Sequence, residues 1–540
     1  MKINRAFFAP LLVAGVALAT GGWFLQKGAG VERSVYSNAQ LFEQVLSFIQ
    51  QGFVDEKEPS DLYRKAIDGM LEELGDPHTV FMPAKEYESL RITTQGEYGG
   101  IGISIAKRNG WITVIGPLPG TPGERAGLQA GDQIVDVSGQ STRDWTEDQA
   151  VANLRGPKGT NVDIKIARIG SDQPIPFTIT RDEIHVRSVP AAYMIDKDVG
   201  YVELQVFSES STTELREAIT KLRGQGAKGI VLDMRRNSGG LLDEGQTVSD
   251  LFLDQGVPVV ETRGRLQGQT QKLAATHPDE FPGLPIVVVV GPQSASATEI
   301  VAGALQDHDR ALILGRPTFG KGSVQTVFRL QGGNWLKMTT ARWYTPSGRS
   351  IQRPYDNAHV TEEPADENTP GGGATDSKDA MSYKTDAGRV VTGGGGIAPD
   401  VMVWPDTTTL AERDLIEAIQ TQNWPKYIET RFAFGVRYAK DHPELKPGFD
   451  VTPAMLDEFY GSVGTAGLKI DRPLFDKGSR WIAYQLASEV TLSKWGQQEM
   501  RRRENMDDRQ VAAAVSLLKK ATTPASLFDV GKAFEVVTRK

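Results

Sequence analysis

Residues Val287–Asp307 read VVVVGPQSASATEIVAGALQD. The unbroken valines predict a buried strand, Gly291-Pro292 breaks it, and Ile300, Val301, Ala304 and Leu305 give the helix that follows an inward face. A strand passing into a helix in this way lifts Ser294, Ser296 and Thr298 to the carboxyl edge of a sheet. There the first amides of the helix favour negative charge. A lone serine at such a turn also serves as an ordinary helix cap, so a chemical role needs a base nearby.

Working outward, strand and helix patterns alternate. VGYVELQVF, GIVLDM and ALILG read as strands, and SSTTELREAITKLRGQG as a helix closed by glycine. LKMTTARWYTPSG adds alternating strand residues. This alternation predicts an α/β core over 186–406, a β-sheet flanked by helices, with a polar, Gly-rich mobile insertion at 356–389. Upstream, 96–185 is a β-rich module of short strands (IGISIA, WITVIG, QIVDVSG, VDIKIAR, PFTITRD) around one helix, Thr146 to Leu154. Residues 31–95 are helical, with Leu41, Val45, Ile49 and then Leu62, Ala66, Met70 and Leu74 at helical spacing. The tail 407–540 is helical too, as at Ile482, Leu486 and Val490. The first 30 residues place Lys2 and Arg5 before an uncharged stretch, Ala6 to Leu25, which predicts an export signal or a membrane anchor and an extracytoplasmic, periplasm-like setting. The fold class is therefore multidomain α/β.

Composition removes several chemistries. A formal charge of −8 over 540 residues gives no electrostatic footprint for nucleic acid. The chain has no cysteine and six scattered histidines, with no H-E-x-x-H, so no metal ligand set is implied and no cofactor is required.

GRPTFGKGSVQ, Gly315–Gln325, carries the G-x-x-x-x-G-K of a phosphate loop, but Gly322 stands where that loop needs the magnesium-binding hydroxyl. Lys321 has another use. It follows a strand neighbouring the serine strand, so its loop leaves the same sheet edge as Ser296. To accept the serine's proton the amine must be neutral, its pKa brought from ~10.4 toward about 7, a cost of roughly 4–5 kcal/mol that burial supplies. Phe319, Gly320 and Gly322 bring no charge to it. His308, in Asp307-His308-Asp309, lies at the far end of the helix from Ser296, well over ~10 Å away at 1.5 Å per residue, which disfavours a Ser-His-Asp arrangement. An oxyanion hole requires two donors. The Ala297 amide is one, and Gly239 or Gly240 is the other, where glycine lets backbone approach a carbonyl closely.

GTPGERAGLQAGDQIVDVSG and LRGPKGT resemble PDZ domains, with YGGIGI (Tyr98, Gly99, Gly100, Ile101, Gly102, Ile103) where that family binds a peptide carboxylate. SASATEIVAGALQD and RPTFGKGSVQ, with LDMRRNSGGLL upstream, GGGGIAPD downstream and GDPHT near the N-terminus, resemble the C-terminal processing peptidases, Ser/Lys serine peptidases with an embedded PDZ domain. The resemblance implies Ser296 as nucleophile, Lys321 as general base, Gln325 as the residue orienting the lysine amine, Asp307 as structural support, and Thr298 where serine is usual. It implies polypeptide C-termini as substrates. Arg155 is expected to contact the catalytic portion and so couple PDZ occupancy to activity. The tail leaves an adaptor, an activator and a second copy of the chain open as partners. A non-catalytic PDZ scaffold is the alternative.

Overall fold

The computed structural model describes residues 36–168, 170–354 and 381–534, which form two compact units, one ending at Phe81 and one starting at Met82. The leader expected over 1–30 lies outside the described residues. Among the described residues no helix is long and apolar enough to cross a membrane.

The first unit holds helix α1 (36–52) and helix α2 (Pro59–Glu72). Proline suits the start of α2, where its missing N–H would have no helical partner. In the GDPHT turn, the Asp76 carboxylate accepts the His78 amide and the Thr79 hydroxyl at 3.2 and 2.5 Å.

The second unit opens with α3 (Ala84–Gln95), stopped by Gly96 at φ 75°. The β-rich module follows. β1 (Glu97–Gly100) leads to β2 (Ile103–Arg108), β3 (Trp111–Pro117), β4 (Gln133–Val137), α4 (Glu147–Leu154), β5 (Asn161–Ala167), β6 (Ile175–Thr180) and β7 (Asp182–His185). β2 to β6 form one sheet in the order β2-β3-β4-β5-β6, and β1 pairs with β7. Ile112, Val114, Ile134, Ile164 and Leu154 form its core.

The α/β core carries β8 (Ala191–Met194), β9 (Val199–Glu203), β10 (Gly229–Asp233), β11 (Pro258–Gly264), β12 (Gln271–Ala274), β13 (Ile286–Val290), β14 (Leu312–Gly315), β15 (Ser323–Arg329), β16 (Trp335–Tyr344), β17 (Ser382–Lys384), β18 (Val390–Thr392) and β19 (Val401–Met402). Its helices are α5 (Ser211–Gly224), α6 (Leu242–Asp250) and α7 (Ala297–Asp307). The main sheet runs β8-β9-β10-β13-β14-β19, parallel from β9 onward. β11, β12, β15 and β16 belong to a separate antiparallel sheet.

Successive strand residues face opposite sides, so Ile230, Leu232 and Val288 pack under α5, α6 and α7, while Val231, Val287 and Val289 face away. That second face is closed by the tail, which carries α8 (Leu410–Asp441), α9 (Pro453–Thr465), α10 (Ser479–Trp495), α11 (Gln497–Met506), α12 (Arg509–Lys520) and α13 (Pro524–Ala533). Val511, Ala514, Leu517 and Leu527 of α12 and α13 pack directly on the sheet. α8, α9 and α10 share a separate cluster around Ile419, Phe434, Phe459 and Leu486. The tail thus contributes to two cores.

α8 also reaches the β-rich module. Glu429 accepts the Asn109 amide at 3.0 Å, the Arg108 guanidinium lies 5.8 Å from the Phe432 ring centroid, and a Cβ on Gly131 would stand 2.8 Å from Val436.

Residues 356–380 of the expected insertion lie outside the described residues. Residues 381–389 depart from a mobile reading, because Asp386 donates its amide to the Asp307 carbonyl and Ala387 to the Asp309 carboxylate, at 2.8 and 2.6 Å. The segment's polar side chains dock as well, the Asp386 carboxylate on His308 at 2.7 Å and the Arg389 guanidinium on the Asp309 carboxylate at 2.5 Å.

Candidate active site

Ser296 stands at the N-cap of α7 with φ 57° and ψ −116°, a conformation that costs a non-glycine residue of order 1–3 kcal/mol and persists only where its surroundings enforce it. The enforcing contacts are local. Ser294 Oγ accepts the Gly291 amide and donates to the Met234 carbonyl, and Thr298 Oγ1 donates to the Asn237 carbonyl at 2.8 Å. Two of the three hydroxyls at this turn are therefore buried staples holding it to the loop after β10. Ser296 is the half-buried one.

That loop brings Gly239 against the serine. A Cβ on Gly239 would lie 2.7 Å from the Ala295 oxygen, 2.8 Å from Ser296 Cβ and 3.1 Å from the Ala297 nitrogen. Gly239 has φ 101°, so both space and backbone require glycine. Its amide donates to Asn237 Oδ1 at 2.9 Å. Gly240 is pressed on Phe207, whose oxygen would be 2.1 Å from a Cβ there.

Lys321 follows β14, as its sequence position predicts, but the environment of its loop differs from expectation. Glu299, fully buried in the first turn of α7, accepts the Ser296 amide (2.8 Å) and the Lys321 amide (2.9 Å) on one carboxylate oxygen, Oε2. Its other oxygen takes Thr318 Oγ1 (2.5 Å) and the Gly320 amide (2.7 Å). The Ser296 and Lys321 backbones therefore approach to within the sum of two hydrogen bonds. Burial pushes the Glu299 carboxyl above its ordinary range, against the pull of these donors.

The loop's amides point inward to side chains, with Gly322 donating to Gln352 Oε1 at 2.9 Å. The donors a phosphate cradle would present are thus already used. Trp343, buried, donates its indole N–H to the Lys321 carbonyl at 3.1 Å.

Residues 198–360 match Peptidase family S41, 89–167 match the PDZ domain, and 24–86 match the Activating protease CtpB N-terminal domain. A carboxy-terminal-processing protease of Bartonella bacilliformis is 41% identical over 325 residues, 59% of this chain and 74% of that protein. The chain belongs to the C-terminal processing peptidases. It is a PDZ-bearing serine-type endopeptidase. A second member, the carboxy-terminal processing protease CtpA of Bacillus subtilis, is 34% identical over 357 residues, 65% of this chain and 75% of its own. The solved photosystem II D1 C-terminal processing protease shares 29% identity over 58% of this chain and 90% of its own, at TM-score 0.33.

In the PDZ body of this peptidase, the six residues expected as a carboxylate loop divide. Tyr98, Gly99 and Gly100 are strand residues paired with β7, and Gly99 accepts the Gly156 amide at 3.1 Å. The extended β1–β7 pairing takes up their backbone, so only Ile101 and Gly102 form the turn into β2. The Ile101 carbonyl is bonded inward to the Gly123 amide and the Gly102 carbonyl to Leu118 and Thr121, at 2.7 to 2.9 Å. Across a trans peptide the following N–H points opposite, so the Gly102 and Ile103 amides face outward.

Arg155 lies with its guanidinium 4.3 Å from the Tyr98 ring centroid. This places the cation on an aromatic face inside the PDZ body. Gln325 lies on β15, and its amide nitrogen donates to Ser323 Oγ and Thr339 Oγ1 at 2.9 and 3.1 Å. Asp307 forms a buried ion pair with Arg349 at 2.7 Å and accepts the Ser347 amide, as a structural support does. His308 binds Asp386 and the Pro258 carbonyl at 2.7 Å each, at the other end of α7.

Glu299 escaped the sequence reading. Its only local trace is the Ser-x-x-Glu spacing from Ser296, the pattern of a capping box.

Proposed function

We propose that this peptidase captures polypeptide C-termini through the outward amides of Gly102 and Ile103 and cleaves with Ser296 as nucleophile and Lys321 as general base. The observation that carries the reading is the shared Glu299 oxygen, which gathers the serine and lysine backbones at a strained strand-to-helix corner with Gly239 packed against it. Ser296 Oγ attacks the scissile carbonyl, the neutral Lys321 amine accepts its proton and passes it to the leaving amine, and water hydrolyses the acyl-enzyme. With the Gly239 amide held by Asn237, the oxyanion donors fall to Ala297 and Gly240. The resemblance assigns to Gln325 the orienting of the lysine amine. The charge pattern of residues 1–30 supports an extracytoplasmic site of action, periplasmic in a bacterium.

Ser296→Ala and Lys321→Ala are expected to bind peptides with free C-termini at unaltered affinity and to lose at least ~10³ of kcat. A serine-reactive probe is expected to label Ser296 in the parent, mapped by mass, and not in either variant. Labelling of Lys321→Ala at the parental rate refutes the base assignment.

A further inference from the structure

β2 is the edge strand of its sheet, paired with β3 on one side and lying beside α4 on the other. Its Ile103 and Ile105 side chains are half-buried against the PDZ core, so apolar surface remains open between strand and helix. At the far end of this groove the Lys107 amide donates to Glu147 Oε1, from the first turn of α4, at 2.8 Å. This N–H therefore points away from β3. With a two-residue period the Ile103 and Ile105 amides point the same way. β2 keeps that period because the extra residue in its pairing, Ile115, lies on β3.

A chain whose carboxylate sits at the Gly102 and Ile103 amides, and which adds antiparallel to β2, sets its last residue by Ile103, its third from last by Ile105 and its fifth from last by Lys107. The first two positions offer open N–H groups. At the third the donor is already taken by a carboxylate, a stronger acceptor than the peptide carbonyl that would compete for it. Asp148, the neighbouring acid, is paired with Lys85 at 3.0 Å, so the effect of Glu147 is occupation of a backbone donor rather than a general negative field.

We infer that Glu147 is a stop for strand addition, a specificity-determining residue that limits what the PDZ groove reads to the last four residues of a substrate. The inference rests on the C-terminus reading proposed above. It implies a peptidase that recognises a short apolar ending and is indifferent to the backbone upstream of it.

The test uses the full chain carrying Ser296→Ala, so that peptides survive, and fluorescence anisotropy with peptides of four and eight residues. All share one apolar four-residue ending, the upstream residues are alanine and glycine, and each is made as free acid and as amide. With Glu147 present, the two lengths are expected to bind within twofold. With Glu147→Ala added, the eight-residue acid is expected to bind about three- to tenfold tighter, the worth of one recovered backbone hydrogen bond, while the four-residue acid is unchanged. An identical length dependence in both proteins, or weakened four-residue binding in the variant, overturns the stop. Amides binding as tightly as acids in both proteins overturn the C-terminus reading beneath it.

Discussion

Glu299 organises the proposed catalytic corner from a fully buried position. Each carboxylate oxygen serves two donors, a load that an amide side chain cannot carry, because its NH2 would confront two of those donors and leave them unpaired at about 1–3 kcal/mol each. Glu299→Gln is therefore expected to lower kcat ten- to a thousandfold while KM stays within twofold, since the PDZ groove is untouched. Steady-state kinetics on one peptide, with the melting temperature recorded alongside, measure this. An unchanged kcat refutes the positioning role. Ser296 and Gly239 were legible in the sequence because strand-turn-helix and Gly-Gly patterns are local. Glu299 was not, since a capping-box glutamate says nothing about the distant loop it will also bind. The residues around Lys321 looked uncharged because the acid that meets them comes from another segment.

At the scale of elements, the alternation of strand and helix announced the parallel sheet, and the three crossover helices account for one of its faces. Continuous apolar runs such as IVVVV require cover on both faces, and after α5, α6 and α7 have taken one, only the tail has helices left for the other. That step needs handedness as well as periodicity, because right-handed crossovers put all three helices on one side.

One seam between tail and sheet is ionic. Arg235 joins Asp233 at the end of β10 to Asp508 at the start of α12, both at 2.6 Å, and also bonds Gln510 at 2.8 Å. Burial alone would raise the Asp233 carboxyl, but Arg235 overrides it and holds it at about 2. A folded-state value below the unfolded one means that this stability is present above roughly pH 4 and lost as pH falls through about 2. The contribution is about 2 kcal/mol at neutral pH, and about 1 kcal/mol of it is expected to have gone at pH 3. Urea unfolding at pH 5 and pH 3 is expected to show that loss in the parent and not in Asp233→Asn. Equal losses in the two refute it.

Across the whole second unit, the tail is both lid and brace. α12 and α13 cover the sheet, and α8 holds the PDZ body through Glu429, Phe432 and Val436. The sequence marked this region as helical and left its partners open, because spacing such as Ile482, Leu486, Val490 gives a buried face without saying what it meets. A chain ended after Met506 is expected to lose the cover of Tyr201, Val231, Val287, Val289 and Leu314, apolar area worth ~25 cal/mol per Å². Its circular dichroism and sedimentation are expected to report an aggregating, non-cooperative species. A stable monomer with parental melting would refute the covering role.

The Arg235 seam also orders events in time. Arg235 lies in the loop after β10, four residues before Gly239, and its partners Asp508 and Gln510 are made more than 200 residues later. A nascent copy thus carries its serine turn long before Asp508 and Gln510 exist to hold Arg235 from the far side of the sheet, and this seam is expected to close only once the last helices are made.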